Sequence, residues 1–107
     1  MNDIKLLGRL TQTPELKESL NGNQYVWFTV AVPRKNNRDE ADFIRCKAFG
    51  KLAGALKQHC DKGRQLLLTG RLEVSATIDQ QTQQKRFFHT VIAHQVEFLH
   101  DPNRVAA

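Results

Sequence analysis

The sequence predicts a small all-β protein, a five-stranded Greek-key barrel with one short α-helix between its third and fourth strands. Apolar residues recur at every second position through most of the 107-residue chain, which is the period of a strand with one buried face. Clusters of Gly, Asn, Pro and charged residues separate these alternating segments, and one segment alone changes to helical spacing. The length fits a single domain whose core folds without a disulfide or a metal.

The first predicted strand is IKLLGRL, residues 4–10, in which Gly8 permits the bend or bulge that closing a sheet requires. An extended piece, ELKESL, then leads to the tight-turn tripeptide Asn21-Gly22-Asn23. The second strand, YVWFTVAV, follows this turn as in a hairpin. Its apolar face consists of Val26, Phe28, Val30 and Val32. The polar segment RKNNRDEA, residues 34–41, is expected to form an exposed loop.

The third predicted strand, DFIRCKAFG, alternates between two kinds of side chain. Successive residues of a strand point to opposite faces, so one face carries Ile44, Cys46 and Ala48 and suits a core. The other face carries Phe43, Arg45, Lys47 and Phe49. Two unpaired cations are costly to bury, and two phenylalanines are unusual on a purely solvated face. We therefore expect something to cover this second face.

The helix is predicted over KLAGALKQHCDKG, where the residues at helical spacing are Leu52, Ala55, Leu56 and Cys60. Gly63 suits the left-handed cap that ends a helix. In the fourth strand, RQLLLTGRLEV, one face carries Leu66, Leu68, Gly70, Leu72 and Val74. After the polar stretch DQQTQQK, the fifth strand, RFFHTVIAHQVEFL, alternates without interruption. This order of elements is that of an OB-fold barrel, expected over residues 1–100, with 101–107 as a flexible end.

The composition limits the classes of function. Lys and Arg number 16 against 11 Asp and Glu, and the resulting charge of +5 favours a polyanionic partner. No apolar run resembles a signal peptide or a membrane span, and two cysteines suit free thiols, so we expect a cytoplasmic protein without membrane contact. The sequence has no phosphate-binding GxxxxGK, no nucleophile motif and no metal-ligand spacing. We therefore expect no enzymatic activity, no cofactor and no metal.

Several short pieces occur together in a characteristic order: LLGRLTQTPEL, FTVAV after an Asn-Gly turn, ADFIRCKAFGKLA, KG before LLLTGRLE, and VEFL. In these pieces the sequence resembles the bacterial single-stranded DNA-binding protein family over nearly its whole length. The resemblance implies an OB-fold subunit of a homotetramer that binds single-stranded DNA without sequence preference, in replication, recombination or repair. The residues agree, because non-specific single-strand binders combine a basic groove with aromatic rings on which bases stack.

The resemblance also implies where DNA is bound. Positions that match stacking aromatics and phosphate-contacting cations of the family are Phe43, Arg45, Phe49, Lys51 and Lys62. Further candidate cations on strands and loops are Arg34, Lys35, Arg38, Lys47, Arg71 and Arg86. Burial against other strands or a second subunit is the alternative for the two phenylalanines, and ordinary solvation is the alternative for the cations. Trp27 is expected either to stack on DNA or to lie at a subunit interface.

The sequence departs from the family in two places. The stretches PRKNN and SATIDQ lack the tryptophans that some members carry there. If no other ring, such as that of Trp27, replaces them, we expect weaker binding per subunit, or a larger electrostatic share of the binding energy. The ending DPNRVAA lacks an acidic tip, so no recruitment of enzymes by an acidic tail is expected. This ending fits either an accessory form or part of a longer protein. A dimeric OB-fold interaction protein resembling primosomal replication protein B is the alternative function, and the oligomeric state would distinguish the two.

Overall fold

The computed structural model describes residues 1–103 as a sheet of six strands with one helix. The elements in chain order are β1 (Ile4–Leu10), β2 (Glu15–Glu18), β3 (Gln24–Pro33), β4 (Ala41–Phe49), α1 (Gly50–His59), β5 (Gln65–Ile78) and β6 (Lys85–Phe98). The short strand β2 pairs with β3, although the sequence indicated only an extended piece there. The helix lies between β4 and β5, which are the third and fourth of the strands predicted from the sequence.

Five of the strands close into a ring. The hydrogen-bonded order is β1, β5, β6, β4 and β3, and β3 returns to β1 through Arg9 and Leu10. Every pairing is antiparallel except that between β4 and β6. A sheet that closes on itself in this way, with one helix inserted between its strands, confirms the predicted fold class. The strand β2 lies outside the ring, on the far edge of β3.

The core fills the inside of the ring. Residues that are fully buried there come from β3, β4 and β5 and include Val26, Val30, Cys46, Ala48 and Leu66. The helix packs against β3 and adds Ala53 and Leu56, which are also fully buried. Burying one Val or Leu side chain contributes about 1.5–3 kcal/mol, so these alternate positions fix which face of each strand points inward.

Two glycines allow the strands of the ring to approach closely. A Cβ on Gly8 would lie 2.6 Å from the carbonyl oxygen of Ala31, at the point where β1 meets β3. A Cβ on Gly70 would overlap the carbonyl oxygen of Ile92 in the same manner. Because both obstacles are backbone atoms, a side chain at either glycine would push two strands of the ring apart.

A β-bulge interrupts the alternation of β6. Thr69 pairs with Gln95 whereas Gly70 pairs with Ala93, so His94 is an extra residue without a partner on β5. The residues that point inward are therefore odd-numbered before His94 and even-numbered after it. Val91 and Ala93 are buried before the bulge, and Val96 and Phe98 pack against the core after it. The prediction of uninterrupted alternation in this strand was wrong for this reason.

The strands β5 and β6 continue beyond the ring as a two-stranded hairpin. From Glu73 paired with Thr90 to Ile78 paired with Lys85, the two strands pair with each other and with no other strand of residues 1–103. We call residues 73–90 the arm. Leu66, Leu68 and Gly70 are buried, whereas Leu72 and Val74, which lie on the same face of β5, are exposed.

The chain leaves the helix differently from the prediction. The cap residue Cys60 has extended backbone, and Gly63 takes its φ of +91° in the turn that follows, where its N–H donates to the carbonyl of Leu10. The prediction of a glycine cap at Gly63 was therefore wrong.

Beyond β6, Asp101 forms an ion pair with Arg64 at 3.4 Å. Residues 104–107 of the predicted flexible end lie outside the described residues.

Candidate nucleic-acid interface

The outer face of β3 and β4 carries most of the aromatic candidates. Cys46 and Ala48 are fully buried, so the residues between them project away from the core, as predicted from the alternation. Cross-strand pairs on this outer face are Tyr25 with Phe49, Trp27 with Lys47, Thr29 with Arg45, and Ala31 with Phe43. Phe43 is 71% exposed and Phe49 is 47% exposed. Within residues 1–103, the other strands therefore leave Phe43 mostly exposed and cover about half of Phe49.

Cations lie over the rings of this face. The guanidinium carbon of Arg45 is 4.2 Å from the centroid of the Trp27 ring. The Nζ atom of Lys47 is 4.8 Å from the centroids of Tyr25 and Trp27 and 5.0 Å from that of Phe49. Each contact of this kind contributes about 0.5–1 kcal/mol at an exposed site. We call Tyr25, Trp27, Arg45, Lys47 and Phe49 the aromatic–cation patch.

Tyr25 was not among the residues predicted from the sequence to contact DNA. Its ring lies 6.5 Å from that of Phe49, centroid to centroid, and the two planes are tilted by 42°. The alternation of β3 already placed Tyr25 on the same face as Trp27. What the sequence did not show was the register between β3 and β4, which pairs Tyr25 directly with Phe49.

Trp27 is half-buried in the middle of the patch. It pairs with Glu15 of β2 on one side and with Lys47 of β4 on the other. An open groove runs alongside and is lined by Gln12, Thr13, Glu15, Lys17, Trp27 and Arg45, among others. Because two cations lie over the indole ring, Trp27 holds these cations in place as well as presenting an aromatic surface.

A row of paired residues extends the patch across the sheet. Lys47 pairs with Ile92 of β6, and Ile92 pairs with Arg71 of β5. Adjacent strands are about 4.8 Å apart, so Trp27 and Arg71 are separated by about 14 Å across the row. Arg71 forms an exposed ion pair with Glu73 at 3.0 Å. The predicted candidate Arg86 lies on this same face, further out on the arm, opposite Thr77.

The loop cations are placed apart from the aromatic–cation patch. Arg34 forms ion pairs with Asp42 at 2.9 Å and with Glu40 at 3.4 Å, so its charge is partly balanced within the loop. Lys35 and Arg38 are exposed. Together with Arg34 they line a groove beside β1. The structure thus does not bring these three predicted candidates into the patch.

The last two candidates flank the helix. Lys51 is exposed in the first turn of α1, and Lys62 is exposed in the turn that follows the helix. The ten-residue helix is about 15 Å long. The backbone of Lys62 is held by Asn103, whose amide donates to its carbonyl at 3.2 Å. These two lysines therefore form separate positive points at the two ends of α1.

The cysteines take no part in this surface. Both are free thiols and both are buried, as predicted. Burial raises the pKa of Cys46 to about 12. Burial also raises the pKa of Cys60, although the positive charge of Arg64 opposes the shift. Both thiols stay protonated at neutral pH, which makes them poor nucleophiles and poor metal ligands.

Residues 1–103 contain no cluster of three or more His, Cys, Asp and Glu side chains arranged to hold a metal ion. In the same part of the chain, no helix is long and apolar enough to cross a membrane.

A closed five-stranded ring with a basic, aromatic outer face defines an OB-fold protein that binds single-stranded nucleic acid. Comparison with known proteins identifies the group more closely. Residues 1–99 match the single-strand binding protein family, and the chain belongs to this family. The resemblance and the fold class predicted from the sequence are thereby confirmed. Proteins of this family bind DNA and are not enzymes, as was expected for this chain.

Three relatives illustrate the match. The single-stranded DNA-binding protein of Clostridium perfringens is 38% identical over 104 residues, covering 96% of this chain and 69% of the relative. The corresponding protein of Fusobacterium nucleatum is 42% identical over 104 residues, covering 92% and 66%. That of Thermotoga maritima is 38% identical over 104 residues, covering 92% and 73%. The matched region thus spans between 66% and 73% of the length of these relatives.

Proposed function

We propose that this chain binds and protects single-stranded DNA without sequence preference, during replication, recombination or repair, through the outer face of β3 and β4. Single-stranded DNA binding is the function of the family to which the chain belongs. The observation that carries the proposal is the aromatic–cation patch, in which Arg45 and Lys47 lie 4.2–5.0 Å from exposed or half-exposed rings. Such a combination suits a ligand with flat bases and a charged backbone.

Phe43 is the main stacking platform in this proposal. It is the most exposed aromatic residue of the face, and the cation–ring contacts of the described residues involve other rings. Stacking of one base on such a ring contributes about 1–3 kcal/mol. Arg45 and Lys47 lie on the same face and neutralise phosphates beside the stacked bases. Trp27 supports both cations and stays close to the bound strand.

The same arrangement accounts for the absence of sequence preference. Every base has a flat face that stacks on a ring, whereas reading a particular base requires paired hydrogen bonds to its edge. Single strands are preferred over duplexes because bases that are paired within a helix cannot reach Phe43 or Phe49. The remaining cations add positive charge along the path of the bound strand as secondary phosphate contacts. They are Arg34, Lys35, Arg38, Lys51, Lys62, Arg71 and Arg86.

A homotetramer is part of the proposal. One edge of β1 pairs with β5, whereas the opposite edge pairs with β3 only at Arg9 and Leu10. Over Ile4–Gly8 that opposite edge has no strand partner within residues 1–103. Such an edge pairs readily with a second chain. Separately, Leu7 is 47% exposed and pairs with the exposed Leu67, which gives an apolar area on the adjacent sheet face. Two different self-associating surfaces generate a tetramer, whereas one generates a dimer.

The cellular setting completes the proposal. The two cysteines are free and buried, which suits the reducing cytoplasm, where structural disulfides are rare.

The alternative of a dimeric interaction protein is tested by the mass in solution. Light scattering is expected to give four times the mass of one chain, and twice that mass would favour the alternative.

The experiment that tests the function is a set of fluorescence-anisotropy titrations with labelled oligonucleotides. Oligo-dT, oligo-dA and a mixed-sequence strand of equal length are compared with the duplex of the mixed sequence. We expect the three single strands to bind with similar affinity and the duplex to bind much more weakly. Equal binding of duplex and single strand, or binding of only one sequence, would contradict the proposal.

A further inference from the structure

The last described residues of the chain lie across the turn that follows the helix. The carbonyl of His100 accepts a hydrogen bond from the N–H of Gln65 at 2.9 Å. The amide side chain of Asn103 donates to the carbonyl of Lys62 at 3.2 Å. We call residues 99–103 the strap, because they connect the end of β6 to this turn.

A shielded ion pair fixes the strap to the turn. The Nη1 atom of Arg64 lies 3.4 Å from Oδ2 of Asp101, and the two side chains are only 12% and 17% exposed. Arg64 also donates to the carbonyl of His59 at 3.2 Å, and its guanidinium carbon lies 5.6 Å from the centroid of the Phe98 ring. Asp101 accepts a second hydrogen bond, at 2.9 Å, from the backbone N–H of Asn103. The strap is therefore anchored at its middle, and this anchor holds Asn103 over the turn.

The backbone of Lys62 is held from two sides by side chains of distant segments. Asn103 binds its carbonyl, and the hydroxyl of Thr13 accepts a hydrogen bond from its N–H at 3.4 Å. Thr13 also lines the open groove that runs beside Trp27 and Arg45 of the aromatic–cation patch. Lys62 therefore lies next to the wall of this groove, and its side chain is exposed.

We propose that the strap positions Lys62 beside this groove for contact with a phosphate of single-stranded DNA, with Asn103 as the positioning residue. The inference rests on the proposed function and adds the C-terminal end of the fold to the groups on which binding depends. A lysine side chain has many rotamers, and a mobile backbone would spread its ammonium group over a larger volume. Because the strap limits this spread in the free protein, less entropy is lost when the phosphate contact forms.

The first test is a double-mutant cycle between Asn103 and Lys62, with oligo-dT affinity measured by anisotropy. Asn103→Ala removes the hydrogen bond to the turn. We expect it to weaken binding by about two- to tenfold, because the coupling does not exceed the net contribution of one hydrogen bond. Lys62→Gln removes the proposed phosphate contact and should make the salt slope less steep by about 0.7. In the Lys62→Gln background, Asn103→Ala should change the affinity by less than about twofold.

The matched control is Ser19→Ala. The hydroxyl of Ser19 accepts a hydrogen bond from the N–H of Asn23 at 3.2 Å, so this variant also removes one bond between a side chain and the backbone of a turn. The turn between β2 and β3 carries none of the proposed phosphate contacts, and we expect unchanged affinity and an unchanged salt slope. Thermal unfolding of each variant shows whether it is folded at the temperature of the titrations.

The outcomes separate the inference from the proposed function. If the unsubstituted protein binds oligo-dT and Asn103→Ala binds equally well, the inference fails and the proposed function stands. An equal loss from Asn103→Ala with and without Lys62 would also overturn the inference, because the effect would then not depend on that lysine. So would an unchanged affinity and salt slope in Lys62→Gln. If the unsubstituted protein does not bind single strands at all, the proposed function itself fails.

Discussion

The salt dependence of binding tests whether Arg45 and Lys47 contact phosphates. A cation that neutralises one phosphate of a single strand contributes about 0.7 to the slope of log affinity against log salt concentration, because it releases condensed counterions. Replacing both residues by glutamine should therefore make the slope less steep by about 1.4. Between about 50 and 200 mM salt, the double variant should lose about sevenfold less affinity than the unsubstituted protein.

The control for this prediction is Lys57→Gln. Lys57 is exposed in the last turn of α1 and is not among the proposed contacts, so the substitution changes the net charge without removing a contact. The assay is a series of oligo-dT titrations at four or more salt concentrations. An unchanged slope in the double variant would refute the reasoning. So would a change of slope in Lys57→Gln of about half that in the double variant, because the effect of each lost charge would then come from net charge alone.

Three other substitutions give separate tests. Phe43→Ala should weaken binding of oligo-dT and oligo-dA alike, by about 1–3 kcal/mol, and a loss confined to one base in anisotropy titrations would contradict the stacking role. Gly8→Ala should lower the free energy of unfolding by about 1–3 kcal/mol, because its Cβ meets the carbonyl of Ala31. The control Gly54→Ala, in the helix interior, should be neutral or stabilising, and equal denaturant midpoints for the two variants would count against this. The buried Cys46 thiol has a pKa of about 12, above its ordinary 9.0, so the unfolded state loses that proton first and stability falls as pH rises above about 9. Cys46→Ala should therefore lose less stability between pH 8 and pH 10 than the unsubstituted protein, and an equal loss would contradict the shift.

The sequence predicted the patch where a local rule was sufficient. Side chains of a strand alternate whatever the strand pairs with, so the division of β4 into a core face with Cys46 and an outer face with Arg45 followed from the sequence alone. The spacing of Leu52 and Leu56 predicted the helix for the same reason. These features depend on the period of a single element and on no distant contact.

The features that were not predicted depend on pairing between distant segments. The bulge at His94 arises from the register of β6 against β5, and the sequence around it keeps its apolar alternation on both sides. Without the bulge, Phe88 would lie on the same face as Val96 and Phe98. Uninterrupted alternation therefore did not show that Val96 and Phe98 lie on the opposite face from Phe88 and Ile92. The exposure of Leu72 likewise follows from how far the neighbouring strand β1 extends along β5, which no property of β5 itself reveals.

The separation of the candidate cations also depends on tertiary structure. Lys35 and Lys47 are close in sequence, yet the first lies by the groove beside β1 and the second lies within the patch. Both were candidates because both are basic, Lys35 in a predicted loop and Lys47 on a predicted strand. Only the path of the loop between β3 and β4 distinguishes them.

The most direct test of the central claim is to locate the bound strand by ultraviolet crosslinking. The protein is irradiated with oligo-dT, digested, and the crosslinked peptides are identified by mass spectrometry, with the duplex as the control. The account predicts crosslinks on β3 and β4, at Phe43 above all, that disappear when unlabelled single strand competes. Crosslinks that map instead to β1 or to α1, with none on β4, would contradict it.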